Sequence, residues 1–240
     1  MVNDRSIRGL RVAVTGGTSG LGLALVRLLS AEGAAVAFVA RTDADVERVV
    51  NETGAVGIVG DVSQKDDIYP IALQITANLG GLDILINNAS SLGPVPLSPL
   101  ADTDCEDLEE ALRVNVLAPF RLTKALYGSL AVSARQGRVP TVVNISSDAA
   151  INAYPTWGAY GASKAALRHL TAIWGEESND TGIRFISIDP GDMDTPLHAL
   201  ADPDADPATL KRPADSAAEV VDAIQAVRRT DGFNAVGVRP

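Results

Sequence analysis

The sequence predicts a single α/β domain, residues 1–240, built on a doubly wound parallel sheet with helices on both faces. Three observations support this prediction. Short apolar segments rich in β-branched residues alternate with longer segments of helical periodicity along the whole chain. A glycine-rich turn at 15–22, TGGTSGLG, joins the first of these strands to the first helix. Polar residues capable of chemistry follow several predicted strands, where sheets of this kind bind their ligands.

The predicted elements follow from hydrophobic spacing. Strands are predicted at 10–15, 34–40, 55–60, 83–87, 141–147, 183–188 and 235–238. Helices are predicted at 23–33, 64–79, 105–134, 158–177 and 215–229. Pro119 should kink the third of these helices or mark a join between two helices. Residues 199–213 are rich in Pro, Asp and Ala, which is typical of either a lid over a ligand site or a solvated loop.

Composition excludes several classes of function. The net charge of −10 argues against nucleic acid as the main partner. No apolar run approaches the roughly 20 residues that span a bilayer, and the N-terminus carries charges where a secretion signal would be apolar, so we expect a cytoplasmic protein that binds no membrane. Cys105 is the only cysteine, which rules out an internal disulfide and a thiolate metal cluster; no metal site is expected.

Tyr160 and Lys164 carry the main chemical signal. They are four residues apart in a predicted helix, so their side chains should lie on one face. A phenol has a pKa of about 10, and a nearby ammonium group would lower that pKa and make the phenol a usable acid or base. Ser147 ends a strand 13 residues earlier and could reach the same place. The alternative is a tyrosine that packs on a neighbour beside a solvated lysine.

The glycine turn predicts a dinucleotide site, and the alternative is an ordinary connection between a strand and a helix. Glycines at 16, 20 and 22 allow a tight turn, and the following helix presents free N–H groups to a pyrophosphate. Arg41 follows the second strand, where its guanidinium would meet the 2′-phosphate of NADP, so NADP is favoured over NAD. Two points weigh against this: Arg41 could pair with Asp43 or Asp45, and the neutral Thr18 and Ser19 offer the loop no second cation.

Two polar residues have more than one interpretation. Asp61 follows the third strand and could accept a hydrogen bond from an adenine amino group, cap the next helix, or do both. Asn115 lies among valines on an apolar face, so its amide must either bond a neighbouring backbone or hold a water molecule.

Taken together, these motifs resemble the short-chain dehydrogenase/reductase family over about residues 8–230. The resemblance rests on the spaced motifs TGGTSGLG at 15–22, NNA at 87–89, Asn115, Ser147, YGASK at 160–164 and PGDMDT at 190–195. It implies a Rossmann-like fold and an oxidoreductase that moves hydride between a nicotinamide and a carbonyl or alcohol carbon. In that scheme Tyr160 is the acid or base and Ser147 orients the substrate oxygen. Lys164 lowers the pKa of the tyrosine and holds the nicotinamide ribose, and Asn115 keeps a water that relays protons.

The resemblance also assigns cofactor contacts along the chain. The residues expected around NADP are Gly16, Thr18, Ser19, Gly20, Leu21, Arg41, Asp61, Val62, Asn88, Ala89, Tyr160, Lys164, Pro190, Gly191, Met193 and Thr195. A mixed apolar and aromatic substrate pocket is expected from Ser91, Leu92, Gly93, Pro94, Ala149, Tyr154, Trp157, Met193, Leu197 and His198. His198 could also act as an extra acid or base, or it could be a bystander in the loop.

Two departures from the family pattern bear on the prediction. Ser90 stands where the family usually has glycine after Asn-Asn-Ala, which would alter packing against the cofactor. The C-terminal sequence RTDGFNAVGVRP lacks the glycine-rich ending that often helps to build a tetramer. We therefore expect a homodimer formed through the helices at 107–130 and 158–177.

The sequence is compatible with three functions. The favoured one is an NADP-dependent carbonyl reductase acting on a small, partly apolar molecule. An NAD-dependent alcohol dehydrogenase would use the same catalytic residues and differ at Arg41. A non-catalytic dinucleotide-binding sensor would have no need of a serine, tyrosine and lysine together.

Overall fold

The computed structural model describes residues 7–229 and the backbone of residues 236–238. The strands are β1 (Arg11–Thr15), β2 (Ala35–Ala40), β3 (Val56–Val59), β4 (Ile84–Asn87), β5 (Thr141–Ile145), β6 (Arg184–Ile188) and β7 (Val236–Val238). The helices are α1 (Gly20–Ala31), α2 (Asp43–Thr53), α3 (Ile68–Leu79), α4 (Cys105–Leu112), α5 (Ala118–Arg135), α6 (Gly158–Glu177), α7 (Pro196–Ala201) and α8 (Pro213–Arg229).

The seven strands form one parallel sheet in the order β3-β2-β1-β4-β5-β6-β7. The doubly wound α/β fold predicted from the sequence is confirmed, and the strand positions agree to within two residues. The winding direction reverses between β1 and β4, since β2 and β3 lie on one side and β5, β6 and β7 on the other. A crevice opens at such a reversal, at the carboxyl ends of the strands.

Each face of the sheet is covered by its own helices. Alternate strand residues point to opposite faces, so Val12 and Val14 of β1 join one core cluster and Ala13 joins the other. The first cluster packs beneath α1, α2 and α8, and the second beneath α3 and α5, with Trp174 of α6 at its margin. Since both faces are buried, the central strands read as nearly continuous apolar runs.

The predicted break at Pro119 is a join rather than a kink. The chain passes from α4 through a short π-helical turn, Arg113–Leu117, into α5, and Pro119 lies in the first turn of α5. The proline follows the π-helical turn, in which Ala118 N donates to Arg113 O, and such a local widening of the helix is a usual place for a proline-linked irregularity. Within the described residues no helix combines the length and apolar character needed to cross a bilayer. Most of the C-terminal sequence used to predict a dimer, residues 230–235 and 239–240, lies outside the described residues.

The segment predicted as a lid or loop leaves the sheet after β6 and returns to it at α8. Residues 193 and 211 form a parallel bridge at its base, in which Lys211 N donates to Asp192 O at 3.0 Å and Asp194 N donates to Lys211 O at 3.0 Å. Between these ends lie α7 and a short 3-10 turn, Pro207–Thr209. The two ends of this segment are therefore held together by backbone hydrogen bonds.

A buried carboxylate organises the amino end of the sheet. Asp83 precedes β4 and is inaccessible to solvent. Its Oδ1 accepts from Arg11 Nη2 at 2.7 Å, its Oδ2 accepts from Arg138 Nη1 at 3.0 Å, and Ser133 Oγ donates to Oδ1 as well. Burial alone would raise the pKa of Asp83, but the hydrogen bonds from Arg11 and Ser133 outweigh it and lower the pKa to about 2. The carboxylate thus ties β1, β4 and the end of α5 together.

We expect Asp83→Asn to lower the free energy of unfolding by about 3 kcal/mol at pH 7, because it leaves the partly buried Arg11 without its counter-charge. The lowered pKa means that the stabilisation from the ionised carboxylate is complete above pH 4 and is lost as the pH falls through about 2. The difference between the variant and the wild type should therefore shrink in acid. Urea unfolding between pH 2 and 7 measures it.

Asp215→Asn is the matched control, because Asp215 also pairs with an arginine, Arg212, but on the exposed surface. Water screens such a pair, so this variant should unfold like the wild type. An equal effect of the two substitutions, or a difference at Asp83 that does not vary with pH, would contradict the role given to Asp83.

Candidate active site

A cleft with a volume of about 700 Å³ opens at the carboxyl ends of β1, β2, β4, β5 and β6. The structure brings every residue predicted to contact a cofactor to this cleft: Gly16, Thr18, Ser19, Gly20, Leu21, Arg41, Asp61, Val62, Asn88, Ala89, Tyr160, Lys164, Pro190, Gly191, Met193 and Thr195. Ser147 lines it as well. The adenosine end expected from β2 and the catalytic end expected from β5 thus belong to one continuous groove.

The glycine turn lies so close to the end of β4 that larger residues would not fit. Gly16 has a φ of 69°, and a Cβ atom there would lie 3.1 Å from the Cα of Ala89. At Gly22 a Cβ would lie 2.0 Å from the carbonyl oxygen of Gly16. Asn88 fixes this arrangement by donating from Nδ2 to Thr15 O at 2.9 Å. These contacts explain why the turn needs glycine at these positions.

The start of α1 fits the pyrophosphate of a dinucleotide. Ser19 is the N-cap residue in an extended conformation, its side chain makes no capping hydrogen bond, and the first turn of α1 carries no acidic residue. The N–H groups of that turn and the positive end of the helix dipole therefore remain available to an anion in the cleft.

The adenosine end contains a cation that the sequence interpretation missed. Arg41 is exposed and lines the cleft, as predicted. Arg48, on the second turn of α2, also lines it, and Asp45 lies closest to Arg48 at 3.4 Å rather than pairing with Arg41. Asp61 Oδ1 accepts from Ser63 N at 2.9 Å, so its carboxylate stabilises the turn after β3.

Tyr160 is 8% exposed and lies between two serine hydroxyls. Burial raises the pKa of the phenol to about 12, although hydrogen bonds with Ser147 and Ser90 act in the opposite direction. Ser147 also accepts from Ala149 N at 3.2 Å and lies 3.3 Å from Asp148 Oδ1. The sequence indicates only an effect of Ser90 on packing. Its contact with the phenol depends on the folded chain.

Lys164 is fully buried beneath the tyrosine. Its Nζ donates to the carbonyl oxygen of Ile145, at the end of β5, at 2.8 Å and lies 5.4 Å from the centre of the Tyr160 ring. Burial lowers the pKa of Lys164 to about 8. The prediction that Lys164 lowers the pKa of Tyr160 stays a prediction, because here the ammonium lies over the ring and burial has the largest effect on the pKa of the phenol. Among the described residues Lys164 makes one hydrogen bond, so two of its three N–H groups remain available to the hydroxyls of a ribose.

Asn115 is buried in the π-helical turn, behind the cleft rather than in its wall. Its Nδ2 donates to Ser91 O at 2.7 Å and Ser163 Oγ at 2.8 Å, and its Oδ1 accepts from Ser91 N at 2.8 Å and Ser90 Oγ at 3.1 Å. These four bonds use the full capacity of an amide. Of the two alternatives, the side chain bonds neighbouring protein groups, and the water relay at Asn115 that the resemblance implies stays a prediction. The amide joins α6 to the loop after β4.

Only some of the residues predicted for the substrate pocket line the cleft. Trp157 and His198 line the cleft, and the Trp157 ring meets that of Tyr160 edge-on at 5.7 Å. Ala149 and Tyr154 do not line it: Ala149 is buried against Tyr160, and Tyr154 donates from its exposed hydroxyl to Asp148 Oδ2 at 2.6 Å. Ser91, Leu92, Met193 and Leu197 line the cleft, whereas Gly93 and Pro94 do not.

The buried lysine makes a testable contribution to stability. A lysine whose pKa is lowered on folding destabilises the folded state while it is charged, and this cost is relieved as the pH rises from about 8 to 10.5. We expect Lys164→Met to be more stable than the wild type at pH 7 and to lose up to about 3 kcal/mol of that advantage by pH 10.5. Chemical denaturation at pH 7–10.5 measures the change.

Lys124→Met, at an exposed lysine of α5, is the control. The stability of this variant relative to the wild type should stay constant over the same range, because an exposed ammonium keeps its hydration. A constant difference for Lys164→Met as well would contradict the burial of a charged group there.

Known proteins resemble this chain in sequence and in structure. The family model described as short chain dehydrogenase matches residues 11–206. The chain is 35% identical over 193 residues to the 2,5-dichloro-2,5-cyclohexadiene-1,4-diol dehydrogenase of Sphingobium indicum, covering 80% of this chain and 75% of that protein. It covers less than two thirds of the length of several other relatives, for example 63% and 58%.

Two solved structures show the same fold. The 3-ketoacyl-(acyl-carrier-protein) reductase of Brucella melitensis, complexed with NADH, superimposes with a TM-score of 0.88 at 26% identity and 98% coverage of both chains. A short chain dehydrogenase of Shigella flexneri, complexed with NADP, superimposes with a TM-score of 0.83 at 25% identity, also over 98% of both chains. The match to the family model extends over most of the chain and includes the glycine turn and the tyrosine–lysine pair. The chain therefore belongs to the short-chain dehydrogenase family.

Proposed function

We propose that this protein is an NADP(H)-dependent oxidoreductase that reduces a carbonyl group on a small, partly apolar molecule. The observation that carries the proposal is the arrangement around Tyr160. Its phenol lies in the cleft with the Ser147 hydroxyl beside it and the Lys164 ammonium beneath it. These three groups lie at the end of β5, next to the groove whose other end fits a dinucleotide.

Each of the three residues has a separate role at the reacting carbon. Tyr160 donates a proton to the substrate oxygen, and Ser147 hydrogen-bonds that oxygen and orients it. Lys164 holds the ribose hydroxyls next to the nicotinamide through its two remaining N–H groups. The bound nicotinamide cofactor supplies the hydride. Proton transfer by a positioned acid contributes typically about 10² to 10⁴ in rate, and alignment of the reactants accounts for much of the rest.

The proposed reduction starts from the neutral phenol. With a pKa of about 12, the phenol is protonated at neutral pH and can donate without first being charged. Reduction forms the phenolate when the proton leaves, oxidation starts from it, and burial opposes its formation in both directions. The part played by Lys164 is then to hold the cofactor and to provide a positive charge beneath the ring while the phenol gives up its proton.

The choice of NADP rests on Arg41. A guanidinium binds a phosphate through two parallel hydrogen bonds, and no hydrogen bond within the described chain occupies this side chain. The relatives do not decide the matter, since one structural neighbour was solved with NADH and another with NADP.

An apolar substrate is proposed from the surroundings of Tyr160. Leu92, Trp157, Leu197 and Ala201 pack in one small cluster with the tyrosine, and two of these residues belong to α7. A ring or short chain of carbon atoms would complete this cluster. The relative from Sphingobium indicum, whose name describes a chlorinated cyclohexadiene-diol as its substrate, agrees with a compact ring compound.

We also propose a homodimer that buries α5 and α6. Leu117, Phe120 and Ile173 are large apolar residues that remain exposed at or beside these helices. A second copy of the chain would cover them. This assignment keeps the helices predicted from the sequence and does not involve the carboxyl ends of the strands.

A second candidate is an NAD-dependent alcohol dehydrogenase. The diol dehydrogenase relative and the neighbour complexed with NADH favour it, and it uses the same tyrosine, serine and lysine. The two candidates differ in the phosphate on the adenosine ribose and in the direction of turnover.

We expect Tyr160→Phe to lower kcat for reduction of a cyclic ketone by about 10² to 10⁴, because only the phenolic oxygen is removed. Cofactor affinity should change less than about twofold, since most of the groove is untouched. NADPH consumption and a binding titration measure the two quantities. Tyr69→Phe, an exposed tyrosine of α3, is the control and should behave as the wild type. Full turnover by Tyr160→Phe would refute the assigned role.

The wild type should bind NADPH at least about tenfold more tightly than NADH. Arg41→Ala should remove most of that preference by weakening NADPH alone, because NADH has no phosphate at that position. Calorimetric titration of each cofactor gives the ratio. Equal affinities in the wild type would favour the NAD-dependent alternative and would leave the catalytic assignment intact.

A further inference from the structure

Arg48 occupies an unexpected place at the adenosine end of the cleft. It lies on the second turn of α2 and lines the cleft beside Arg41, Thr42 and Asp45. Its position seven residues after Arg41 would suggest an ordinary solvated helix residue. Instead its side chain reaches across from α2 to the glycine turn.

The contacts of Arg48 use only one of its nitrogen atoms. Nη2 donates to the carbonyl oxygen of Thr18 at 2.9 Å and lies 3.4 Å from Asp45 Oδ1. In the described chain its Nε and Nη1 make no hydrogen bond, and the side chain is 47% exposed. A guanidinium carries five N–H donors, so most of them remain available to a ligand in the groove.

The charges around Arg48 leave it open to a stronger anion. Asp45 is half exposed and 3.4 Å away, too distant and too hydrated for a strong pair. Glu52, another carboxylate of α2, is bound by Arg27 at 2.6 Å and 3.0 Å, and neither residue lines the cleft. Neither carboxylate competes well with a phosphate dianion, which has three acceptor oxygens.

We propose that Arg48 is a second cation for the 2′-phosphate of NADP(H), binding it together with Arg41 while its Nη2 keeps Thr18 in place. The inference rests on the proposed use of NADP(H). One guanidinium can bind two oxygens of a phosphate and leaves the third to another donor. Arg48 therefore fills the role that Thr18 and Ser19, both neutral, leave vacant in the glycine turn.

The experiment separates the phosphate from the rest of the cofactor. The full-length wild type, Arg48→Gln and Arg41→Ala are titrated calorimetrically with NADPH, NADH, adenosine 2′,5′-bisphosphate and 5′-AMP. We expect Arg48→Gln to weaken NADPH and the bisphosphate about tenfold and to change NADH and 5′-AMP by less than about twofold. Asp45→Asn should strengthen binding of the bisphosphate, because it frees Arg48 from its neighbour.

Arg27→Gln is the matched control. It also removes an arginine that contacts α2, through Glu52, but it lies outside the cleft. It should leave all four affinities unchanged. If it weakened the bisphosphate as much as Arg48→Gln does, the effect would come from overall charge or from loosening of α2, and the proposal would be overturned.

Two further outcomes are distinguishable. An equal loss for NADPH and NADH in Arg48→Gln would mean that Arg48 acts only by holding Thr18, and would refute the phosphate contact while leaving the NADP(H) preference standing. A wild type that binds NADPH no more tightly than NADH, and the bisphosphate no more tightly than 5′-AMP, would refute the proposed cofactor itself and this inference with it.

Discussion

The active-site arrangement depends on how α6 is fastened to the end of β5. Lys164 donates to the carbonyl oxygen of Ile145 at 2.8 Å, and one turn of helix then fixes where Tyr160 lies relative to Ser147, two residues beyond Ile145. Two other polar residues of α6 add attachments: Thr171 accepts from Asn144 Nδ2 of β5 at 2.8 Å, and Ser163 accepts from Asn115 Nδ2 of the π-helical turn at 2.8 Å. A buried helix face is usually apolar, so three polar contacts define a single position for the helix.

This attachment has an energetic cost that the rest of the fold must offset. The Lys164 ammonium is buried and has no carboxylate partner among the described residues. It therefore loses hydration that nothing replaces, and this loss lowers its pKa. At the opposite end of the sheet Asp83 is also buried, but its charge is compensated by hydrogen bonds from Arg11, Arg138 and Ser133. One buried charge is fully partnered and stabilises the fold, whereas the other keeps unused donors and is suited to a ligand. Such unpartnered groups are expected at sites of function.

The pKa of Tyr160 shows how burial can override a pairwise argument. Tyrosine and lysine one helical turn apart are close enough for a strong electrostatic effect only if the ammonium approaches the phenolic oxygen. Here the ammonium lies over the ring, bonded to a main-chain oxygen, and the phenol is surrounded by Leu92, Ala149 and Trp157. Desolvation therefore sets the direction. A tyrosine that is protonated at neutral pH can donate its proton, as the proposed reduction requires.

The sequence by itself determined the seven strands, the glycine turn and the residues that gather at the carboxyl ends of the strands, whereas α2 and α7 were not predicted. Those features depend on local periodicity and on the rule that parallel strands end on one edge. The tertiary structure alone decided which polar groups touch. Arg48 reaches Thr18 from a different helix, Ser90 meets Tyr160 across the cleft, and Ala149 and Tyr154 turn away from it. Each of these depends on side-chain direction and on contacts between residues distant in the chain, and spacing along a sequence carries no information about them.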